Sequence, residues 1–154
     1  MKTPLACAAA ALALAVPAAA AASSAQASRC QPFSATGHDA ATSPAGPYVG
    51  VQDVTIGGVS YSDVPAVTSV VAPLIPEGSS GVLSTTTTHA ISLPSGTITT
   101  TDKVHLIPTG TPGGYRLVSH MVVDGGGQIE LQGTVNFGTL TAEGTFTGTV
   151  CGLG

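Results

Sequence analysis

Charge is scarce in this chain. Asp, Glu, Lys and Arg make up 8% of its 154 residues, with eight carboxylates against four cationic side chains. A phosphate-binding surface needs a basic stripe, so nucleic acid and anionic membrane are excluded as partners. Aromatic residues are equally thin at 4%, and tryptophan is absent, which leaves nothing to build a stacking platform for bases or sugars. The single asparagine, Asn136, is followed by Phe137-Gly138, so there is no N-glycosylation sequon. Beyond the N-terminus no helical apolar period survives the glycines and prolines, and no capping pattern occurs. There is no CxxC spacing. His89, His105 and His120 fall one to a strand, which is no metal signature, and no metal or cofactor is expected.

What is present begins with an address. Lys2 supplies a short positive region, an apolar stretch runs from Leu5 to about Ala22, and Ala25-Gln26-Ala27 fits the small-x-small rule of signal peptidase. The cut is placed before Ser28, giving a signal peptide at 1–27 and a protein secreted to the extracellular space or periplasm, with no membrane association after cleavage. An uncleaved anchor is the alternative, but the stretch is mostly alanine, holds Pro17 and has no positive flank behind it. Leu5-Ala6-Cys7 resembles a lipoprotein box, yet Cys7 precedes most of the apolar region. The remaining chain holds three cationic residues against eight carboxylates, a formal charge of −5. It is long enough for one domain with a real core. Two cysteines remain, Cys30 and Cys151, and in an oxidising compartment such a pair predicts a disulfide joining the two ends of the domain.

Residues 28–47, rich in Ala, Ser, Thr, Gly and Pro, predict an irregular arm, and 48–154 a β domain. Candidate strands are Tyr48–Ile56, Val59–Val64, Val67–Ile75, Val82–Leu93, Thr97–Ile107, Tyr115–Asp124, Gln128–Asn136 and Ala142–Cys151. Gly57-Gly58, Ser95-Gly96, Thr109–Gly114, Gly125–Gly127 and Gly138 supply the turns. Eight strands in up-and-down order predict an all-β, eight-stranded antiparallel barrel, with a two-sheet sandwich as the alternative.

The stretches Ser84–His89, Thr97–Asp102, Gly113–Leu117, Gly125–Ile129, Gly133–Val135 and Gly144–Cys151 together resemble the small barrel proteins of the allene oxide cyclase and dirigent type, especially their secreted bacterial relatives. The resemblance covers about residues 80 to 152 and rests on turn spacing and a glycine-rich last hairpin. It implies a barrel that takes a hydrophobic molecule inside and guides cyclisations or radical couplings. None of that group's acidic catalytic residues is carried over to a position here.

One constellation carries candidate chemistry. With Ser95-Gly96 as a two-residue hairpin loop, His89 falls directly opposite Asp102, and alternation turns both toward the apolar face. A buried carboxylate beside an imidazole is a setting for general acid–base work, and equally for a structural pair that holds register. The predicted interior lining is Leu83, Thr87, Ile91, Thr100, Val104, Tyr115, Leu117 and Met121, with Phe137 a further candidate. His105 and His120 are placed on the outer face and His38 in the arm. There is no G-x-S-x-G elbow, and Gly125–Gly127 lacks the helix a phosphate cradle requires. Two functions stay open: a barrel binding a small hydrophobic molecule, with cyclase- or isomerase-like activity through His89 and Asp102, or a non-catalytic extracellular structural or interaction protein whose barrel is filled. They differ in interior volume. The residues carry no signal of oligomeric state.

Overall fold

Alternating β-branched and polar residues, punctuated by glycine-bearing turns, fold here into strands alone. The computed structural model describes residues 30–153, and the leader expected at 1–27 lies outside the described residues. Nine strands follow in order: β1 (Gln31–Ala40), β2 (Tyr48–Ile56), β3 (Val59–Val70), β4 (Ile75–Pro76), β5 (Leu83–Leu93), β6 (Gly96–Pro108), β7 (Gly114–Val123), β8 (Gly127–Asn136) and β9 (Thr141–Val150). Among the described residues no helix is long and apolar enough to cross a membrane.

Apart from β3 and β4, sequential strands pair antiparallel, β1 also pairs β9, and β3 pairs β5, so eight strands close into an up-and-down barrel. β4 is a two-residue addition against the start of β5. Closure removes the free edges that an open sheet would expose. Cys30 and Cys151 form the expected disulfide, joining the entry to β1 to the exit from β9 across 121 residues.

Residues 31–40, expected as part of an irregular arm, are instead β1, bonded on one side to β2 and on the other to β9. Its inward positions are Phe33, Ala35, Gly37 and Asp39. Only the first is a large apolar group, so the alternation left little hydrophobic pattern to detect. The strands expected at Val59–Val64 and within Val67–Ile75 are also revised. The first joins the start of the second as β3, because Pro65 stands where β3 has no partner on its β5 side, pairing there beginning at Ala66. The same strand bulges: Gln52 faces Val64 and Val54 faces Tyr61, leaving two residues opposite Asp53, and Asp63 takes a φ of 54°. Pro73 then separates β3 from the short β4.

The interior divides in two. One half is packed solid by Phe33, Val54, Ile56, Ile91, Ile98, Met121, Val123, Ile129, Phe146 and Val150. The other holds a looser cluster of Tyr48, Val104, Leu106 and Val135, with Val70, Leu74, Leu83, Tyr115, Leu117 and Phe137 partly buried around it.

Candidate functional site

The hairpin between β5 and β6 decides which polar groups meet. Leu93 pairs Gly96, so the two loop residues are Pro94 and Ser95 rather than Ser95 and Gly96. Proline's fixed φ suits the first central position of a turn, which places the turn there. The register therefore shifts by two residues. His89 lies opposite Thr100, and Asp102 opposite Thr87. An even shift leaves every side chain on its predicted face, and both groups are inward, 3% and 4% exposed. The expected direct contact between His89 and Asp102 is not made, and each has its own partners.

Asp102 sits in a cage of hydroxyls. Thr87 Oγ1 donates to Oδ2 over 3.0 Å, Ser119 Oγ to the same oxygen over 2.8 Å, and Thr100 Oγ1 to Oδ1 over 3.4 Å. Burial raises the carboxyl pKa above its ordinary value, and the three hydroxyls pull it partly back.

His89 lies in a second network that sequence reasoning missed. Its Nδ1 meets Thr68 Oγ1 at 2.5 Å and its Nε2 meets Gln52 Nε2 at 2.8 Å, while Thr68 Oγ1 donates to Asp39 Oδ2 over 3.3 Å. Thr68 has one hydrogen, and it goes to the carboxylate. Nδ1–H of His89 therefore donates to Thr68, and Nε2 is the bare nitrogen that accepts from Gln52. The ring stacks on Phe146, centroids 5.3 Å apart and planes 22° from parallel. Burial pushes its pKa down to about 4, so the imidazole is neutral at pH 7. Asp39 is pushed the other way, up to about 6, again by burial, against the lowering effects of Thr68 and of His38 beside it.

Glycines opposite these side chains make the room. A Cβ on Gly37 would come within 2.6 Å of Gln52 Cγ, and one on Gly50 within 2.5 Å of Asp39 Oδ1. Among the described residues two buried side-chain acceptors remain without a partner, Asp39 Oδ1 and Gln52 Oε1. Leaving an acceptor so costs about 1–3 kcal/mol. Gln52 was legible in principle, since Tyr48, Gln52, Val54 and Ile56 share one parity of β2. Asp39 was hidden with its strand.

Both networks border one partly enclosed cavity of about 90 Å³ in the looser half of the barrel. Its wall is mainly apolar: Tyr48, Val70, Leu74, Val104, Leu106, Leu117, Met121, Leu131, Val135, Phe137 and Phe146, with Asp39, Gln52, Thr68, Thr85, Thr87, His89 and Asp102 as its inner polar side chains and the exposed Glu143 also on it. Of the predicted lining residues, Thr87, Val104, Leu117 and Met121 are on it. Ile91 lies in the packed half. Thr100 is buried behind Asp102. Leu83 and Tyr115 belong to the looser cluster without facing the cavity, Tyr115 packing on Phe137 at 5.3 Å.

His105 and His120 face outward as expected, whereas His38, expected in the irregular arm, lies on β1. His105 Nδ1 meets Glu77 at 3.1 Å, a carboxylate that Lys103 also reaches at 3.2 Å, and His120 stands 3.7 Å from Glu130, 82% exposed. His38 is exposed on β1. Among the described residues no group of three or more His, Cys, Asp or Glu side chains could hold a metal ion. Comparison with protein families, with characterised proteins and with solved structures finds no match for this chain.

Proposed function

We propose that this is a secreted barrel protein that holds a small hydrophobic molecule in one half of its interior. The observation that carries the reading is the unequal filling of the barrel: one half is packed solid, the other keeps an apolar cavity with a few polar groups on its inner wall. Room of about 90 Å³ suits a short alkyl chain or the inner end of a longer molecule whose remainder projects through the opening. Secretion to the extracellular space or periplasm rests on the N-terminal segment and agrees with the Cys30–Cys151 bond. The likeness to allene oxide cyclase and dirigent barrels points the same way.

A cyclase- or isomerase-like step in this cavity would fall to the carboxyl groups. Both ring nitrogens of His89 are engaged by the protein, whereas Asp102 borders the cavity with its pKa raised. The same engagement of His89 favours the second reading, a non-catalytic extracellular protein that uses the network to hold its strands together.

Native mass spectrometry of the exported protein, together with methyl NMR of Met121, Leu117 and Val104 under titration with four- to eight-carbon alkyl compounds, tests the proposal. A co-purifying adduct, or shifts confined to those methyl groups, is expected. No adduct and no methyl response to any such compound would overturn it.

A further inference from the structure

Building on the reading of the cavity as a binding site, we propose that its ligand is an amine: an apolar body carrying a primary ammonium head that Asp39 and Gln52 receive. The cavity wall holds two acceptors without a partner, whereas its hydroxyl donors are already engaged. Thr68 donates to Asp39 and Thr87 to Asp102. Thr85 donates to the carbonyl of Ala72 and Tyr48 to that of Pro44. Nδ1–H of His89 is held by Thr68, and Nε2 accepts from Gln52. Each hydroxyl lining the cavity is thus turned back into the protein. What is left over is Asp39 Oδ1 and, on a side chain only 1% exposed, Gln52 Oε1. Both can only accept, so the group that satisfies them must donate.

Charge selects among donors. Asp39, Asp102 and the exposed Glu143 line the cavity, and among the described residues no lysine or arginine lines it with them. Lys103 is turned out to Glu77, and Arg116 is exposed. An ammonium group brings three donors, no acceptor and the missing positive charge. A carboxylate or phosphate head would meet these carboxyl groups and, among the described residues, no cation. An ether would bring an acceptor and no donor, and would leave Asp39 Oδ1 and Gln52 Oε1 unsatisfied. The apolar residues Val104, Leu106, Leu117 and Val135 accommodate the body of the molecule.

Four probes of nearly equal size separate these possibilities: n-butylammonium, 1-butanol, methyl propyl ether and butyrate, each titrated at pH 7.5 into the folded protein with the methyl groups of Leu117 and Met121 read by NMR. Butylammonium is expected to bind at least tenfold tighter than the ether and tighter than butanol, with butyrate failing to bind. Asp39→Asn, which keeps an oxygen for Thr68, is expected to lower butylammonium affinity at least tenfold and to leave butanol within twofold. Asp102→Asn gives a second reading of the charge effect if the first variant does not fold. Equal binding of all four probes would overturn the amine head and leave the apolar cavity standing. Butanol binding with no response to butylammonium would overturn it too. Silence from all four would overturn both the head and the cavity's role.

Discussion

Gln52 donates from Nε2 to Nε2 of His89 over 2.8 Å, joining β2 to β5 across the barrel interior although the two strands are not neighbours in the sheet. Through Thr68 on β3, His89 is tied on to Asp39 on β1. Four strands contribute one side chain each to a single hydrogen-bonded run, and the imidazole in its middle is held neutral, in one tautomer.

That tautomer is measurable. Nitrogen-15 NMR is expected to show His89 protonated at Nδ1 and unprotonated at Nε2 at pH 7, with a titration midpoint of about 4. Because Asp102 contacts hydroxyls rather than the ring, Asp102→Asn is expected to leave that midpoint where it is. A midpoint near 6.5, or a clear drop in the variant, would disprove the arrangement.

Stability against pH carries opposed contributions, His89 on one side and Asp39, with Asp102 in the same direction, on the other. His89 binds its proton more readily in the unfolded chain, so its share is present above pH 6.5 and is lost as pH falls toward 4; it is on the order of 3 kcal/mol. Asp39 binds its proton more readily in the fold, so its share is present below pH 3.8 and is lost as pH rises through about 6. Between those limits the two largely offset each other. Asp39→Asn is expected to uncover the histidine, giving a protein whose denaturation midpoint falls more steeply than that of the wild type from pH 6.5 to pH 4. Parallel curves for the two proteins would show that Asp39 does not titrate in this range.

The disulfide closes a loop of 121 residues. On the chain-entropy account its loss lowers stability by about 4–5 kcal/mol. Urea denaturation with and without reductant, and of Cys30→Ala/Cys151→Ala, checks this. Alkylation of the exported protein without reductant should add no label, and two labelled cysteines would refute the bond.

The packed and hollow halves should respond differently to truncation. Ile129 is 1% exposed and lies in the packed core off the cavity wall, so Ile129→Ala should cost about 2–5 kcal/mol. Leu117 is only partly buried and already faces open space, so Leu117→Ala should cost less, about 1–2 kcal/mol, while enlarging the cavity. Equal costs would mean that the looser half is filled in solution.

How much of the site was legible follows from the kind of information each residue carries. Strand alternation by itself turned His89 and Asp102 inward and His120 outward, and the structure places them so. The pairing of His89 with Asp102 depended on one loop, where Pro94 moved the turn by a single position and the partners by two. Asp39 went unseen because β1 turns only one large apolar residue, Phe33, inward, beside Ala35 and Gly37. Its strand character comes from ladders on both sides rather than from its own pattern.

The sequence by itself determined an all-β chain, an up-and-down order, the pair of cysteines and the face on which each later-strand residue lies. Each of these depends on local chemistry, on turn residues and on a side-chain period of two that survives any even slip of register. Only the tertiary structure decided that β1 closes on β9 and β3 on β5, that Asp39, Thr68, His89 and Gln52 share one network, and that half of the interior stays open. Those outcomes depend on how eight strands stagger around a closed ring, a relation between residues far apart in the chain that no local pattern records.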